Sequence, residues 1–397
     1  MKKPSVTFAL NTSLQLLFRG QYPMTFDNLR FLRSGLPMKK RLDLLAHGVR
    51  FMMRSGVAAG IPPIVQLEPS NVCNLGCLTC PTGAGLMKRA PFAMPFYTYR
   101  NVIDQIKDHA LLLVFWSWGE PFMNKDACRM IRYAKDCGLF VHSSTNGHFF
   151  TVKEQARALI DSGLDSLIVA VDGLDQQTYE KYRKRGNFKH VIKSIENLIS
   201  ERSKAGARHP LLTFRFIVMK HNEHQLEGVR DFAKDLGVDV VTFRSAVIRR
   251  KGVDLENSLA PKTPRFRRFI NNSGPLAVSM IKAEKNYCHR PYANLTILSN
   301  GDIVLCENDF DATLPLGNVA KKSILEILSS DQSRQLYKEF CFDLNSFSFC
   351  RECELRDTKH TTANVQTIFL NSELHDNNKN NSRKLSLYSM DIEGETA

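Results

Sequence analysis

The sequence predicts an α/β protein, a partial (β/α)6 TIM-like barrel followed by a small cysteine-rich domain of β-hairpin and helix. Three observations carry this. Six short apolar runs, at residues 64–68, 111–116, 139–143, 166–171, 212–219 and 240–243, alternate with stretches of helical period. Gly138, Gly163 and Gly237 follow three of those stretches, where helix C-termini take glycine. Beyond the last run, cysteines surround a strand–turn–strand pattern. Strands that alternate with helices form a parallel sheet from right-handed units, with functional loops at the C-terminal strand ends.

Residues 1–60 carry ten basic side chains (Lys2, Lys3, Arg19, Arg30, Arg33, Lys39, Lys40, Arg41, Arg50, Arg54) against two acids, Asp27 and Asp43. Leu42, Leu45, Val49, Met52 and Met53 recur there at helical spacing, an amphipathic basic helix. Two readings stand: a contact with a membrane surface or acidic partner, and a solvated helix packed on the main domain. Nucleic acid is not expected, since neither aromatic–basic interleaving nor a zinc-finger or helix-turn-helix pattern is present. The run after Met1-Lys2-Lys3 is broken by Asn11, Thr12, Ser13 and Gln15, unlike a secretory signal.

The core spans 61–250, with helices expected at 125–136, 153–162, 188–202 and 225–236. Residues 251–287, rich in Lys, Pro, Asn and Ser, read as a connector. The small domain spans 288–360: strands at 295–298 and 302–305 flank Asn300-Gly301, a hairpin signal, and a helix is expected at 323–340. Residues 361–397 are polar and read as a disordered tail.

The 397 residues are 43% hydrophobic and 24% charged with a net charge of +14, which fits a soluble globular chain and excludes collagen, wholesale disorder and a disulfide miniprotein. No run approaches the ~20 apolar residues of a membrane span. The ten cysteines are too dilute for a disulfide framework, so their placement carries the information.

Cys73, Cys77 and Cys80 follow the first core strand with spacing C-x3-C-x2-C. Three thiolates on one loop can hold three corners of a cubane cluster and leave the fourth iron open. An open iron suits binding of a substrate or cofactor. The second group is Cys288, Cys306, Cys350 and Cys353, the first pair on the expected hairpin and the second a C-x2-C. Four thiolates make a closed site, either a cluster or a structural zinc. Cys341 is a spare ligand candidate, and Cys128 and Cys137 read as core or inert thiols.

The first spacing, placed at the start of a βα array, resembles the radical S-adenosylmethionine (radical SAM) superfamily. Trp118-Gly119-Glu120-Pro121, after the second core strand, is similar to that family's Gly-Gly-Glu-Pro motif, with Trp118 in place of its first glycine. Thr79 stands where an aromatic residue is usual before the last cysteine, and Ala170 where relatives often have serine. The second cysteine group is similar to the family's SPASM/twitch appendage, in the shorter one-cluster form.

The resemblance implies a [4Fe–4S] cluster on Cys73, Cys77 and Cys80, whose open iron chelates SAM and cleaves it to a 5′-deoxyadenosyl radical. It implies an auxiliary [4Fe–4S] cluster on Cys288, Cys306, Cys350 and Cys353 for electron transfer. It also implies SAM contacts around Gly119, Glu120, Pro121, Asn146 and Asp172, and a carboxylate partner in Arg183 or Arg185. Oxidation of a small-molecule, sugar-like or lipid-linked substrate is the leading expectation, with a flavodoxin or ferredoxin as donor. Peptide maturation is the alternative, disfavoured by a first segment that looks helical rather than winged. A non-catalytic iron–sulfur or zinc protein is the alternative outside enzymes, and an open iron argues against it. His142, Arg215 and Arg244 are the candidate proton acceptors. Seven thiolates on oxygen-sensitive iron point to a reducing cytoplasm.

Overall fold

The computed structural model describes residues 6–27, 29–53, 58, 60–247, 258–266, 269–271, 278–280, 288–351, 353 and 364–370. Most of the connector 251–287, and all of the tail past residue 370, lie outside them.

Four elements precede the barrel: α1 (Val6–Arg19), β1 (Tyr22–Phe26), β2 (Leu29–Arg33) and α2 (Met38–Met53). The six core strands follow as expected: β3 (Ile64–Leu67), β4 (Leu112–Val114), β5 (Phe140–Thr145), β6 (Ser166–Ala170), β7 (Leu211–Val218) and β8 (Val240–Ser245). They pair in parallel and in sequence order. The crossovers are α3 (Phe96–Ile106), α4 (Ala127–Asp136), α5 (Lys153–Asp161), α6 (Gln176–Tyr182) with α7 (Phe188–Lys204), and α8 (Leu226–Leu236). Gly138, Gly163 and Gly237 end their helices with φ of 77°, 74° and 82°, the left-handed geometry that favours glycine.

Alternate strand residues face opposite sides. Leu113, Phe115, Val141, Leu167, Phe214 and Phe216 pack in one core with Ile103, Met130, Leu159, Ile195 and Val229 of the helices. Leu112 and Val114 face the other way and pack with Leu16, Met24, Leu36 and Leu44. The inner face of the barrel is therefore filled from the N-terminal segment. This corrects the purely helical expectation for residues 1–60: β1 and β2 form an antiparallel hairpin. Phe26 meets the rings of Trp116 and His142 edge-on at 6.0 and 5.7 Å, and Asp27 at the hairpin turn pairs with Arg215 of β7. Two polar contacts, one half-buried and one exposed, anchor the segment to the N-terminal ends of β4 and β5: Lys40 donates to the Lys107 carbonyl and Arg33 to that of Gly138.

After a short pair, β9 (Phe269–Asn271) and β10 (Val278–Met280), the cysteine-rich region supplies β11 (Asn294–Ile297), β12 (Asp302–Val304) and β13 (Gly317–Asn318). It continues the barrel sheet: β11 lies parallel to β3, with β12 and β13 antiparallel beyond it. The helix expected at 323–340 is two, α9 (Ile324–Ser329) and α10 (Asp331–Phe342), because Ser330 is extended and caps the second. The expected disordered tail contains β14 (Asn364–Phe369), antiparallel on β8. Val365, Thr367 and Phe369 alternate with Gln366 and Ile368, and the strand covers a barrel edge that would otherwise expose unpaired backbone.

The two cysteine regions are joined by one buried ion pair. Glu68, directly after β3, accepts both terminal nitrogens of Arg89 at 2.8 and 2.9 Å, the Ser299 N–H at 2.9 Å and the Trp118 N–H at 3.2 Å. Arg89 also donates to the Phe310 carbonyl at 2.5 Å. The side chains of Glu68 and Arg89 are 0% and 7% exposed, and removing one partner of such a pair costs about 3–5 kcal/mol. Arg89→Met should therefore lower urea stability by about that amount. Adding Glu68→Gln, which removes the stranded charge and keeps an acceptor, should restore at least part of it. Equal loss in the single and double variants would contradict this.

Candidate active site

The first cysteine loop leaves β3 and folds back on itself. A side chain at Gly83 would place Cβ 2.5 Å from the Cys77 nitrogen, so the turn requires glycine. Gly76 donates to the Lys184 carbonyl at 2.9 Å, which ties the loop to the segment after α6. The Leu75 N–H points at Cys73 Sγ at 3.4 Å, and Arg183 Nη1 lies 3.5 Å from Cys77 Sγ. Burial pushes the Cys73 thiol up to about 12, and the nearby Glu120, Cys77 and Cys80 push it the same way. Cys77 is also raised by burial, against the pull of Arg183. Thiols so placed ionise readily only against added positive charge. The Thr79 hydroxyl is 3.0 Å from that of Tyr182, whose ring packs with Leu75 and Cys77. The end of α6 thus places an aromatic ring beside Thr79.

The neighbouring strand ends brace this loop. Gly119 has φ of 96°, and a Cβ there would meet the Ser70 carbonyl at 2.4 Å. Glu120 is buried; its carboxylate accepts from Thr145 Oγ1 and the Asn146 N–H, each at 2.8 Å. Burial pushes it up to about 7 despite these bonds. Pro121 begins a short turn that the Glu120 side chain caps. Asn146 Nδ2 in turn donates to Asn74 Oδ1 at 2.7 Å, on the cysteine loop. Asp172 is buried, accepts from Arg183 Nε at 2.6 Å and from the Ile217 N–H at 2.7 Å. Arg183 therefore spans Asp172 and Cys77. Arg185 is exposed, has φ of 67° and lies over Gly76; no described acid pairs with it. Of the two arginines, Arg185 is the one not engaged by an internal carboxylate.

In the second group, Cys306 is half-buried, and desolvation pushes its thiol up to about 12, while Arg290 pulls it down. Arg290 pairs with Glu307 at 2.7 Å. Asn308 Nδ2 donates to Cys353 Sγ at 3.3 Å, which brings the C-x2-C against the end of the hairpin. Cys350 is buried, and its carbonyl accepts from the Cys353 N–H at 3.1 Å. Among the described residues no three His, Cys, Asp or Glu side chains, in either cysteine group, are close enough together to hold one metal ion as they stand. Cys341 is exposed, while Cys128 and Cys137 pack against the main core.

Trp118 connects the two regions. Its backbone N–H is on Glu68, its indole N–H donates to the Glu307 carbonyl at 2.7 Å, and its ring meets Phe310 edge-on at 6.0 Å. Gln66 reaches the Glu307 carboxylate at 2.6 Å. The departure from glycine at 118 thus has a structural use next to Cys306. The sequence reading missed Glu68, Arg89, Glu307 and Asp27; the available signal was a glutamate closing the apolar run at 64–68. Among the candidate proton acceptors, Arg215 is held by Asp27, and Arg244 lies on β8 near Asp172, whose carboxyl is raised by burial against the pull of Arg183 and Arg244. His142 is fully buried on β5, which holds its imidazole down to about 3 and makes it a poor base.

A cluster loop after the first strand of a parallel array, braced by a Gly-Glu-Pro turn and joined to a second cysteine centre, agrees with the family models. The radical SAM superfamily model matches residues 67–233, and the SPASM iron–sulfur cluster-binding domain model matches residues 288–354. The chain carries a radical SAM domain and a SPASM domain. This radical SAM protein is 26% identical over 246 residues to the Fe-coproporphyrin III synthase of Methanosarcina barkeri, covering 59% of each chain. It is 26% identical over 212 residues to the mycofactocin maturase MftC of Mycolicibacterium smegmatis, covering 53% of this chain and 51% of the relative. The matches thus span little more than half the length of these curated relatives. Streptococcus suis SuiB bound to S-adenosylmethionine shares the fold, with a TM-score of 0.54 at 17% identity over 80% of this chain and 76% of that one. Radical SAM and SPASM domains carry [4Fe–4S] clusters and bind SAM, and relatives of this radical SAM protein are enzymes. Among the described residues no helix is long and apolar enough to cross a membrane.

The burial of His142 gives a pH signature. The unfolded chain takes up this proton near 6.5 and the folded one only near 3, so the unfolded state binds more protons between them. Stability from His142 is complete above 6.5 and falls with pH below it, by about 1.4 kcal/mol per unit. In urea titrations between these limits, His142→Leu should flatten the slope by about that amount. Identical slopes would contradict the assignment.

Proposed function

We propose that the protein is a radical SAM oxidoreductase-type enzyme that removes hydrogen from an organic substrate and passes an electron to the auxiliary centre. The observation that carries this reading is Trp118, which follows the second core strand beside Gly119-Glu120-Pro121 and is bonded to the Glu307 carbonyl next to Cys306. When bound, the cluster and SAM supply the radical that abstracts hydrogen. Cys73, Cys77 and Cys80 hold the open cluster, and Cys288, Cys306, Cys350 and Cys353 the closed one. Glu120 fixes the Asn146 turn against the cysteine loop, and Asp172 fixes Arg183 beside Cys77. Arg185 is assigned to the SAM carboxylate, because its guanidinium lies over the loop with no described acid on it.

The substrate in this reading is a small molecule, sugar-like or lipid-linked. The N-terminal hairpin fills the inner face below it, so entry is from the C-terminal strand ends. The electron comes from a flavodoxin or ferredoxin in the cytoplasm. Residues 1–60 make a peripheral membrane contact. Peptide maturation is the second reading. It is favoured by the likeness to a mycofactocin maturase, and the hairpin at residues 22–33 removes the objection that the first segment is wholly helical.

Anaerobic reconstitution tests the core of this. The chain should bind about eight irons and, with dithionite, release 5′-deoxyadenosine from SAM. Replacing Cys73, Cys77 and Cys80 by Ala should leave about four irons and no 5′-deoxyadenosine. Zinc in the remaining site would overturn the auxiliary-cluster assignment, and absence of 5′-deoxyadenosine from the parent protein would overturn the enzyme reading. Acceleration by a candidate peptide but by no small molecule would select the second reading.

A further inference from the structure

We infer that α1 and α2 form a docking face for an anionic lipid bilayer, on the end of the barrel opposite the cysteine loop. The inference deepens the membrane contact proposed above and is independent of the chemistry at the clusters. Each helix buries one side: Leu16 of α1 and Leu44 of α2 are in the core that fills the inner face of the barrel. Each also leaves an apolar row exposed. On α1 the row is Leu10, Leu14 and Phe18, at spacings of four, and Phe18 is 79% exposed. On α2 it is Met38, Leu42, Val49 and Met53, where Val49 is 60% and Met53 69% exposed. Residues four apart, and eleven or fifteen apart, fall on one side of a helix, so each row is a stripe rather than scattered side chains. Isolated exposed apolar residues are ordinary on a soluble surface, but seven on two adjoining helices are not.

The helices are held as a unit. Arg41 of α2 donates to the Leu17 carbonyl at the end of α1 and to that of Leu36. Its guanidinium is so close to Gly20 that a Cβ there would meet Nη2. Three cations thus have internal work: Arg33, Lys40 and Arg41 hold backbone carbonyls. Arg19, Lys39 and Arg50 are exposed beside the stripes, and Lys39 shares its ammonium with the exposed Asp108 at 3.4 Å. Residues 1–60 carry ten basic side chains against two acids. That charge repels a second copy placed face to face and attracts an anionic surface, which also takes up apolar side chains at its headgroup boundary.

The orientation follows from the anchors. Lys40 on Lys107, Lys39 on Asp108 and Arg33 on Gly138 all sit at the N-terminal ends of β4 and β5. The cysteine loop leaves the C-terminal end of β3. A bilayer on α1 and α2 therefore places the reactive end facing water, so the contact locates the enzyme without inserting its site. A lipid-linked substrate would have to present its headgroup, not its chain, to that end.

The test uses the reconstituted full chain and extruded vesicles, either phosphatidylcholine alone or an equal mixture with phosphatidylglycerol. Sedimentation should carry down about tenfold more protein with the anionic vesicles at low salt, and less as salt rises. The variant Phe18→Asp/Val49→Asp/Met53→Asp should lose about tenfold of this binding. It should keep its iron content and SAM cleavage, since these side chains are exposed and remote from the site. Equal sedimentation with both vesicle types, or unchanged binding by the triple variant, would overturn the inference. So would a dimer in analytical ultracentrifugation that the triple variant dissolves, because a second copy would then be the occupant.

Discussion

The carboxylate of Glu68 is the fixed point of this molecule. It sits where β3 ends and the cysteine loop begins, and it is shared among Arg89, Ser299 and Trp118. These partners come from the stretch after the loop, from the auxiliary hairpin and from the turn that leads into Gly119-Glu120-Pro121. A buried charge is tolerated only when its lone pairs are filled, so the three segments must arrive together. The relative position of the two cysteine centres follows from this constraint. The proposed oxidation needs that rigidity, because in it a substrate radical must meet an electron acceptor before it reacts elsewhere.

The same requirement explains why the auxiliary region is joined to the barrel instead of tethered to it. β11 extends the barrel sheet beside β3, and Trp118 and Gln66 fasten the Cys306–Glu307 turn from below. On the far edge β14 closes the sheet against β8. Both edges of the parallel sheet are thus covered by segments from the C-terminal third of the chain. The inner face is covered from the N-terminal one, with Asp27 carried to Arg215.

What was legible in the sequence was local. The six core strands are short apolar runs buried on both faces, so they show themselves without partners. The cysteine spacings lie within single loops or on one hairpin. What was hidden depends on distant pairing. Residues 22–33 lie within a segment, 1–60, whose ten basic side chains drew attention to charge, although β-type runs flank Asp27-Asn28. Val365 to Phe369 alternate properly, but polar neighbours masked them. Glu68 and Arg89 have no motif at all, since their significance lies in partners more than two hundred residues away, such as Ser299 and Phe310. The Ser330 break was missed because serine is tolerated within helices and its extended backbone is set by packing.

The assignment for this molecule is one open and one closed cluster, held apart but coupled through a common rigid frame. Electron paramagnetic resonance of the dithionite-reduced, reconstituted protein tests it most directly. Two [4Fe–4S] signals should be present; SAM should shift one and leave the other, and Cys288→Ala/Cys306→Ala should remove the one that SAM leaves unchanged. A single signal in the parent protein, or SAM perturbing the signal that survives loss of Cys73, Cys77 and Cys80, would contradict it.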